Sequence, residues 1–129
     1  MNEAGLHLKR YYARGNQYSE PIITISKKGM SLNRACTPAV NEKDYCEIFY
    51  DDEKDVVALM PYHIFRVGSF KINKNIEKCK TTLHCTGFIQ MIGMRETLDE
   101  MGRESIPIKA TWNDKNKMFL LDLKSVKRG

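Results

Sequence analysis

The chain of 129 residues has no apolar run approaching the roughly 18 residues of a bilayer-spanning helix, which excludes a helical membrane protein. Met1 to Glu20 is too polar for a secretory leader, so a soluble, cytoplasmic protein is expected. No glycine-rich phosphate loop and no Ser-His or Cys-His constellation with supporting context is present. The four cysteines, Cys36, Cys46, Cys79 and Cys85, contain no C-x-x-C pair, and His84 beside Cys85 fits no common zinc pattern. Free thiols are expected in a reducing compartment, with Cys46 as a small core residue. His7, His63 and His84 stand alone and read as surface or structural residues. The carboxylates Asp51, Asp52, Glu53 and Asp55 cluster, but in a polar loop they lack the burial that tunes a general acid. The expectation is a non-catalytic protein without cofactor or metal.

What the sequence does contain is a hairpin that occurs twice. Tyr45 to Pro61, YCEIFYDDEKDVVALMP, alternates apolar and polar residues on either side of a polar loop rich in Asp and Lys, the pattern of two half-buried strands and a turn. Ile106 to Leu123 echoes it. With Tyr50 set against Trp112, Cys46, Ile48 and Tyr50 answer to Ile108, Ala110 and Trp112, and Val57 and Leu59 to Phe119 and Leu121. A lone hairpin is marginal in water, so two of them are expected to supply each other's core and to relate by an approximate twofold. Unrelated meander hairpins would share the same alternation.

The rest of the chain extends this plan. Ile23 and Ile25 alternate with polar neighbours, Lys27-Lys28-Gly29 makes a turn, and Met30 and Leu32 alternate again, giving a short first hairpin. Asn33 is a candidate cap for a helical turn carrying Ala35 and Cys36; Pro38 requires that helix to be very short, kinked or late-starting. His63, Phe65 and Val67 alternate through the connector and suggest a strand, and Phe70 to Asn73 is the counterpart of the first strand. Thr86 is the expected cap of a helix with Phe88, Met91 and Ile92 as its apolar stripe and Gly93 at its end. Thr97 to Glu100 has capping-box spacing, with Leu98 and Met101 facing inward. The fold class is therefore α+β, mainly β: two βαββ-like repeats, 21–61 and 70–123, sharing one core in a single domain, after an N-terminal arm (1–20) and before a basic tail (124–129).

Charge is unevenly spread about a net +5. Lys27, Lys28 and Arg34 occupy a stretch without acid, residues 42–55 are strongly acidic, and Lys71, Lys74, Lys78 and Lys80 form a second basic stretch against Glu77 alone. Such segregation makes either a face that attracts a polyanion or an ordinary solvated surface. Lys9, Arg10 and Arg14 interleave with Tyr11, Tyr12 and Tyr18, a mixture suited to phosphates and stacking as well as to a loose terminal arm.

The segment IITISKKGMSLNRACTPAVNEKDYCEIFYDDEKDVVALMP resembles the AbrB/MazE/SpoVT-type swapped-hairpin DNA-binding domain: strand, Lys-x-Gly turn, strand, short helix, an acidic residue before a strand, acidic turn, and a strand ending at proline. The likeness covers about a third of the chain, from Pro21 to Pro61. Met30, Asn33 and Lys43 depart from it, standing where the family has a polar or basic residue, a proline and a glycine. The resemblance implies a swapped-hairpin barrel and a role as a transcription regulator or antitoxin-like protein bound to double-stranded DNA. Lys27, Lys28 and Arg34 would make the contacts, joined by Lys71 and Lys74 from the second repeat. The alternative is a protein-interaction or homodimerisation module that binds no nucleic acid.

Overall fold

Apolar side chains at every second strand position meet across a closed antiparallel barrel. The computed structural model describes residues 20–75 and 80–127; Lys78, Cys79 and the N-terminal arm with its Lys9, Arg10 and Arg14 lie outside the described residues. In chain order the elements are β1 (Ile22–Ser26), β2 (Gly29–Leu32), a 3-10 turn (Arg34–Cys36), α1 (Thr37–Val40), β3 (Tyr45–Asp51), β4 (Val56–Tyr62), β5 (Phe70–Asn75), β6 (Lys80–His84), α2 (Thr86–Met91), α3 (Met94–Met101), β7 (Ser105–Asn113), β8 (Met118–Asp122) and α4 (Lys124–Lys127). Around the barrel the strands run β1, β2, β6, β5, β3, β4, β8, β7, and β7 pairs back onto β1. Closure removes exposed sheet edges.

Exchanging β1 to β4 for β5 to β8 leaves every neighbour relation in this ring unchanged. The registers follow the same exchange. Tyr50 faces Val57 in β3 and β4, as Trp112 faces Phe119 in β7 and β8. Ile25 pairs with Met30 as Ile72 pairs with Leu83, and Ile23 pairs with Ile108 as Phe70 pairs with Cys46. Across the seams, Met30 pairs with Leu83 and Ala58 with Leu120, so at these two places a position meets its own counterpart.

The barrel interior holds Ile23, Ile25, Val57, Leu59, Phe119 and Leu121, all essentially without solvent contact. Helices α2 and α3 lie against β2 and β1 and add Ile89, Ile92, Met94 and Leu98 to the core. Among the described residues no buried side-chain nitrogen or oxygen lacks a hydrogen-bond partner, as a stable interior requires.

Several local expectations are corrected. The connector after β4 is a loop rather than a strand: His63, Phe65 and Val67 are exposed, and the loop is pinned by the Tyr45–Phe65 edge contact (centroids 5.6 Å) and by Arg66, which sits over Tyr62 (3.7 Å) and pairs with Glu47 (3.5 Å). In α2 the inward residue is Ile89, followed by Ile92 just past the helix end, while Met91 is exposed. Met101 also faces solvent. Thr86 does not cap α2; its hydroxyl donates to the Lys28 carbonyl (3.3 Å), tying α2 to the first hairpin. Asn33 does hold the N-cap position of the 3-10 turn, where its carbonyl accepts from the Cys36 amide (3.0 Å), but its side chain makes no capping hydrogen bond to the backbone of the turn. Its side chain instead accepts from the Ile22 amide (3.0 Å) and donates to the Glu20 carbonyl (3.2 Å). Pro38 is accommodated because α1 starts only one residue earlier, within the first turn, where a missing amide costs nothing.

Gly29 is the first residue of β2 rather than part of the turn, and it is buried. A Cβ there would stand 1.8 Å from the Leu83 carbonyl oxygen. Glycine is what lets β2 and β6 approach closely enough to pair.

Candidate nucleic-acid interface

The strands β1, β2, β6 and β5, adjacent in the ring, contain no carboxylate at any position: IITIS, GMSL, KTTLH and FKINKN. Because Ile23, Ile25, Met30, Leu32, Leu83 and Ile72 point inward, strict alternation sends the other set outward. That outward set is Thr24, Ser26, Ser31, Thr82, His84, Asn73, Asn75, Lys71 and Lys80, with the half-buried Ile22 at the start of β1 and the buried Gly29 at the start of β2. The register places Ser31 opposite Thr82, Thr82 opposite Asn73, and Asn75 opposite Lys80. A continuous band of hydroxyl, amide and ammonium groups results.

The five basic residues expected at the interface fall around this band in different ways. Lys71 is exposed on β5 opposite Tyr45, and Lys74 is exposed near the end of the β5–β6 hairpin opposite Thr81. Together with Lys80, Asn73, Asn75 and Thr82 they line an open hollow of about 600 Å³, with Asp44 at its rim. Arg34 is exposed just past β2, at the end where Leu32 pairs with Thr81, and so lies toward the β5–β6 hairpin end. Lys28 is exposed at the opposite end of β2, where its carbonyl accepts from the Cys85 amide (3.0 Å). Lys27 differs: its ammonium is ion-paired with Asp99 on α3. The paired lysine, with nearby Arg95, holds the Asp99 carboxyl below the usual range. Ser31, Asn73, Thr82 and His84 were missed from the sequence, because only the β2–β6 and β5–β6 pairings bring them into one surface.

No family model, curated protein or solved structure matches the chain.

The other side of the barrel has a different character. The outward positions of β3, β4 and β8 include Glu47, Asp51 and Asp122, together with Phe49, Val56, Ala58, Met60 and Leu120. Phe49, 47% exposed, pairs with Ala58, which pairs with Leu120. Acids and apolar side chains are thus collected opposite the basic band.

The acidic loop after β3 is organised by its own hydrogen bonds. Asp51 accepts from the Glu53 and Lys54 amides at 3.0 Å, and Tyr50 donates its hydroxyl to Asp55 at 2.5 Å. That bond to a carboxylate, reinforced by desolvation, pushes the Tyr50 phenol up to about 12. Cys36, Cys46 and Cys85 are buried free thiols, and burial pushes them up to about 11, about 12 and about 11, so they are poor nucleophiles. Among the described residues no three His, Cys, Asp or Glu side chains are grouped to hold a metal ion, and no helix is long and apolar enough to cross a membrane.

Proposed function

We propose that the protein binds double-stranded DNA without catalysis, as a cytoplasmic transcription regulator or antitoxin-like protein, through the outward face of β1, β2, β6 and β5. The observation that carries this reading is the absence of any carboxylate from four neighbouring strands whose outward positions offer lysine, threonine, serine and asparagine side chains. Ammonium groups neutralise phosphates, and hydroxyl and amide groups hydrogen-bond phosphates and base edges. Lys28 and Arg34 sit at the two ends of β2, and Lys71, Lys74 and Lys80 extend the positive surface. The exchange of strand pairings between the halves supports reading them as copies of one βαββ unit, closed as a swapped-hairpin barrel within a single chain.

The test is a fluorescence-anisotropy titration of a labelled random duplex at low salt. Lys28→Glu/Arg34→Glu should bind at least about tenfold more weakly and melt at the wild-type temperature, since both side chains are exposed. Reversing Lys54, exposed in the β3–β4 turn, and Lys124, exposed at the start of α4, should cost far less. Equal losses from both pairs would leave only nonspecific attraction to a basic protein.

A second reading is favoured by the apolar outward face of β3, β4 and β8: docking of a protein partner or of a second copy on Phe49, Ala58 and Leu120. Light scattering on nuclease-treated protein separates the two. An oligomer abolished by Phe49→Asp would favour this reading.

A further inference from the structure

Beside the sole tryptophan of the chain lies an open groove of about 680 Å³ whose lining combines apolar residues, among them Ala35, Pro38, Pro61 and Trp112, with the charged Lys43, Lys117 and Asp114. Its volume falls within the roughly 300–1,000 Å³ usual for small-ligand pockets. What makes the groove informative is the corresponding place in the other half. The registers set Trp112 in correspondence with Tyr50. Counting on from the Met30–Leu83 pair, the buried Cys36 answers to the buried Ile89, and the half-buried Ala35 to the half-buried Phe88.

At Tyr50 the space is filled. The Phe88 ring stands edge-on to Tyr50, with centroids 6.2 Å apart and planes at 86°. At Trp112 the residue in Phe88's position is Ala35, and Ala35 and Trp112 both line the open groove. Trp112 makes an edge contact with Phe119, which also lines the groove (centroids 4.7 Å, planes at 61°), and donates its indole N–H to Asp114 (3.3 Å). Asp114 is also paired with Lys117 (2.9 Å). Lys43 takes part in no ion pair among the described residues.

We infer that the groove is a binding site for a small aromatic anion: one planar ring occupies the position that Phe88 fills in the other half, edge-on to Trp112, and a carboxylate meets Lys43. The missing ring sets the size and shape of the ligand. The unpaired ammonium at the margin sets its charge. This site is separate from the basic band and does not depend on DNA binding.

Trp112 emission reads the groove directly. Full-length protein titrated with 3-phenylpropionate should give a saturable change with a dissociation constant of about a millimolar, the range expected for a ligand of this size. Ala35→Phe supplies the ring from within and should abolish the response. Lys43→Gln should weaken 3-phenylpropionate about three- to fivefold, as the loss of one exposed ion pair implies, and leave the neutral analogue 3-phenyl-1-propanol unchanged. Absence of a saturable change up to about 10 mM, or undiminished binding in Ala35→Phe, would overturn the assignment. If Ala35→Phe fails to fold by circular dichroism, Ala39→Leu obstructs the same groove from α1, and undiminished binding in that variant has the same weight.

Discussion

Replacing Gly29 by alanine is a severe test of how the barrel closes. The added Cβ would lie 1.8 Å from the Leu83 oxygen, 2.9 Å from its carbonyl carbon and 3.1 Å from the His84 Cα. All three are backbone atoms of β6, so no rotamer change relieves the clash, and the β2–β6 seam must open by more than an ångström. Overpacking of a rigid interior costs about 1–3 kcal/mol, and a backbone obstacle belongs at the upper end, so about 3 kcal/mol is expected. For a chain of this length that is a fall in Tm of roughly 10 °C. Gly87 is the matched control, because it lies in α2 and an added Cβ there meets nothing within 4 Å. Gly87→Ala should gain up to about 1 kcal/mol from helix propensity. Thermal melts followed by far-ultraviolet circular dichroism should therefore move in opposite directions. A Gly29→Ala melt within about 2 °C of wild type, or parallel shifts in the two variants, would refute the close approach of β2 and β6.

Other consequences are equally direct. In a Cys79→Ser background the folded protein should react only slowly with a thiol reagent at pH 8, because Cys36, Cys46 and Cys85 are buried with raised pKa values, and should release all three thiols in guanidinium. The Tyr50 phenol has an ordinary value of 10.0 and is raised to about 12 in the fold; its stabilising bond is complete below pH 10 and is lost between pH 10 and 12. Tyr50→Phe should accordingly flatten the fall in stability across that window, which denaturant melts at successive pH values would detect. Phe119→Ala removes a side chain that is 1% exposed, should cost about 3–5 kcal/mol, and should shift Trp112 emission by removing its ring partner. Asp99→Ala releases Lys27 from its ion pair and should tighten duplex binding while leaving the melt close to wild type.

The strands were legible because their code is local. The β3–β4 and β7–β8 hairpins and the alternation in β1 and β2 could be read from side-chain periodicity, and the aligned pairs Tyr50 with Trp112 and Val57 with Phe119 carry the same register in the two ladders. What failed was decided by packing at a distance. His63, Phe65 and Val67 have a strand's alternation, but β4 already has β3 and β8 as neighbours, so the connector turns out into solvent. Of the stripe Phe88, Met91, Ile92, Phe88 packs against the core and Ile92 is buried in it, but Met91 is exposed and Ile89, outside the stripe, is the residue of α2 without solvent contact. Gly29 suggested a turn, whereas its role comes from a strand more than fifty residues away. For the candidate interface, individual lysines were visible, but the hydroxyl and amide side chains between them were not, since they become neighbours only through the β2–β6 and β5–β6 pairings. The Lys27–Asp99 pair was hidden for the same reason.

The most direct measurement of the central claim is the salt dependence of duplex binding. With Lys28, Arg34, Lys71, Lys74 and Lys80 on phosphates, counterion release predicts that the logarithm of the association constant falls with the logarithm of salt concentration at a slope of about −4.5. Charge reversal at Lys28 and Arg34 should reduce that slope by about 2. A flat salt dependence, or an unchanged slope in the reversed protein, would contradict the assignment of the basic band as the DNA-binding face.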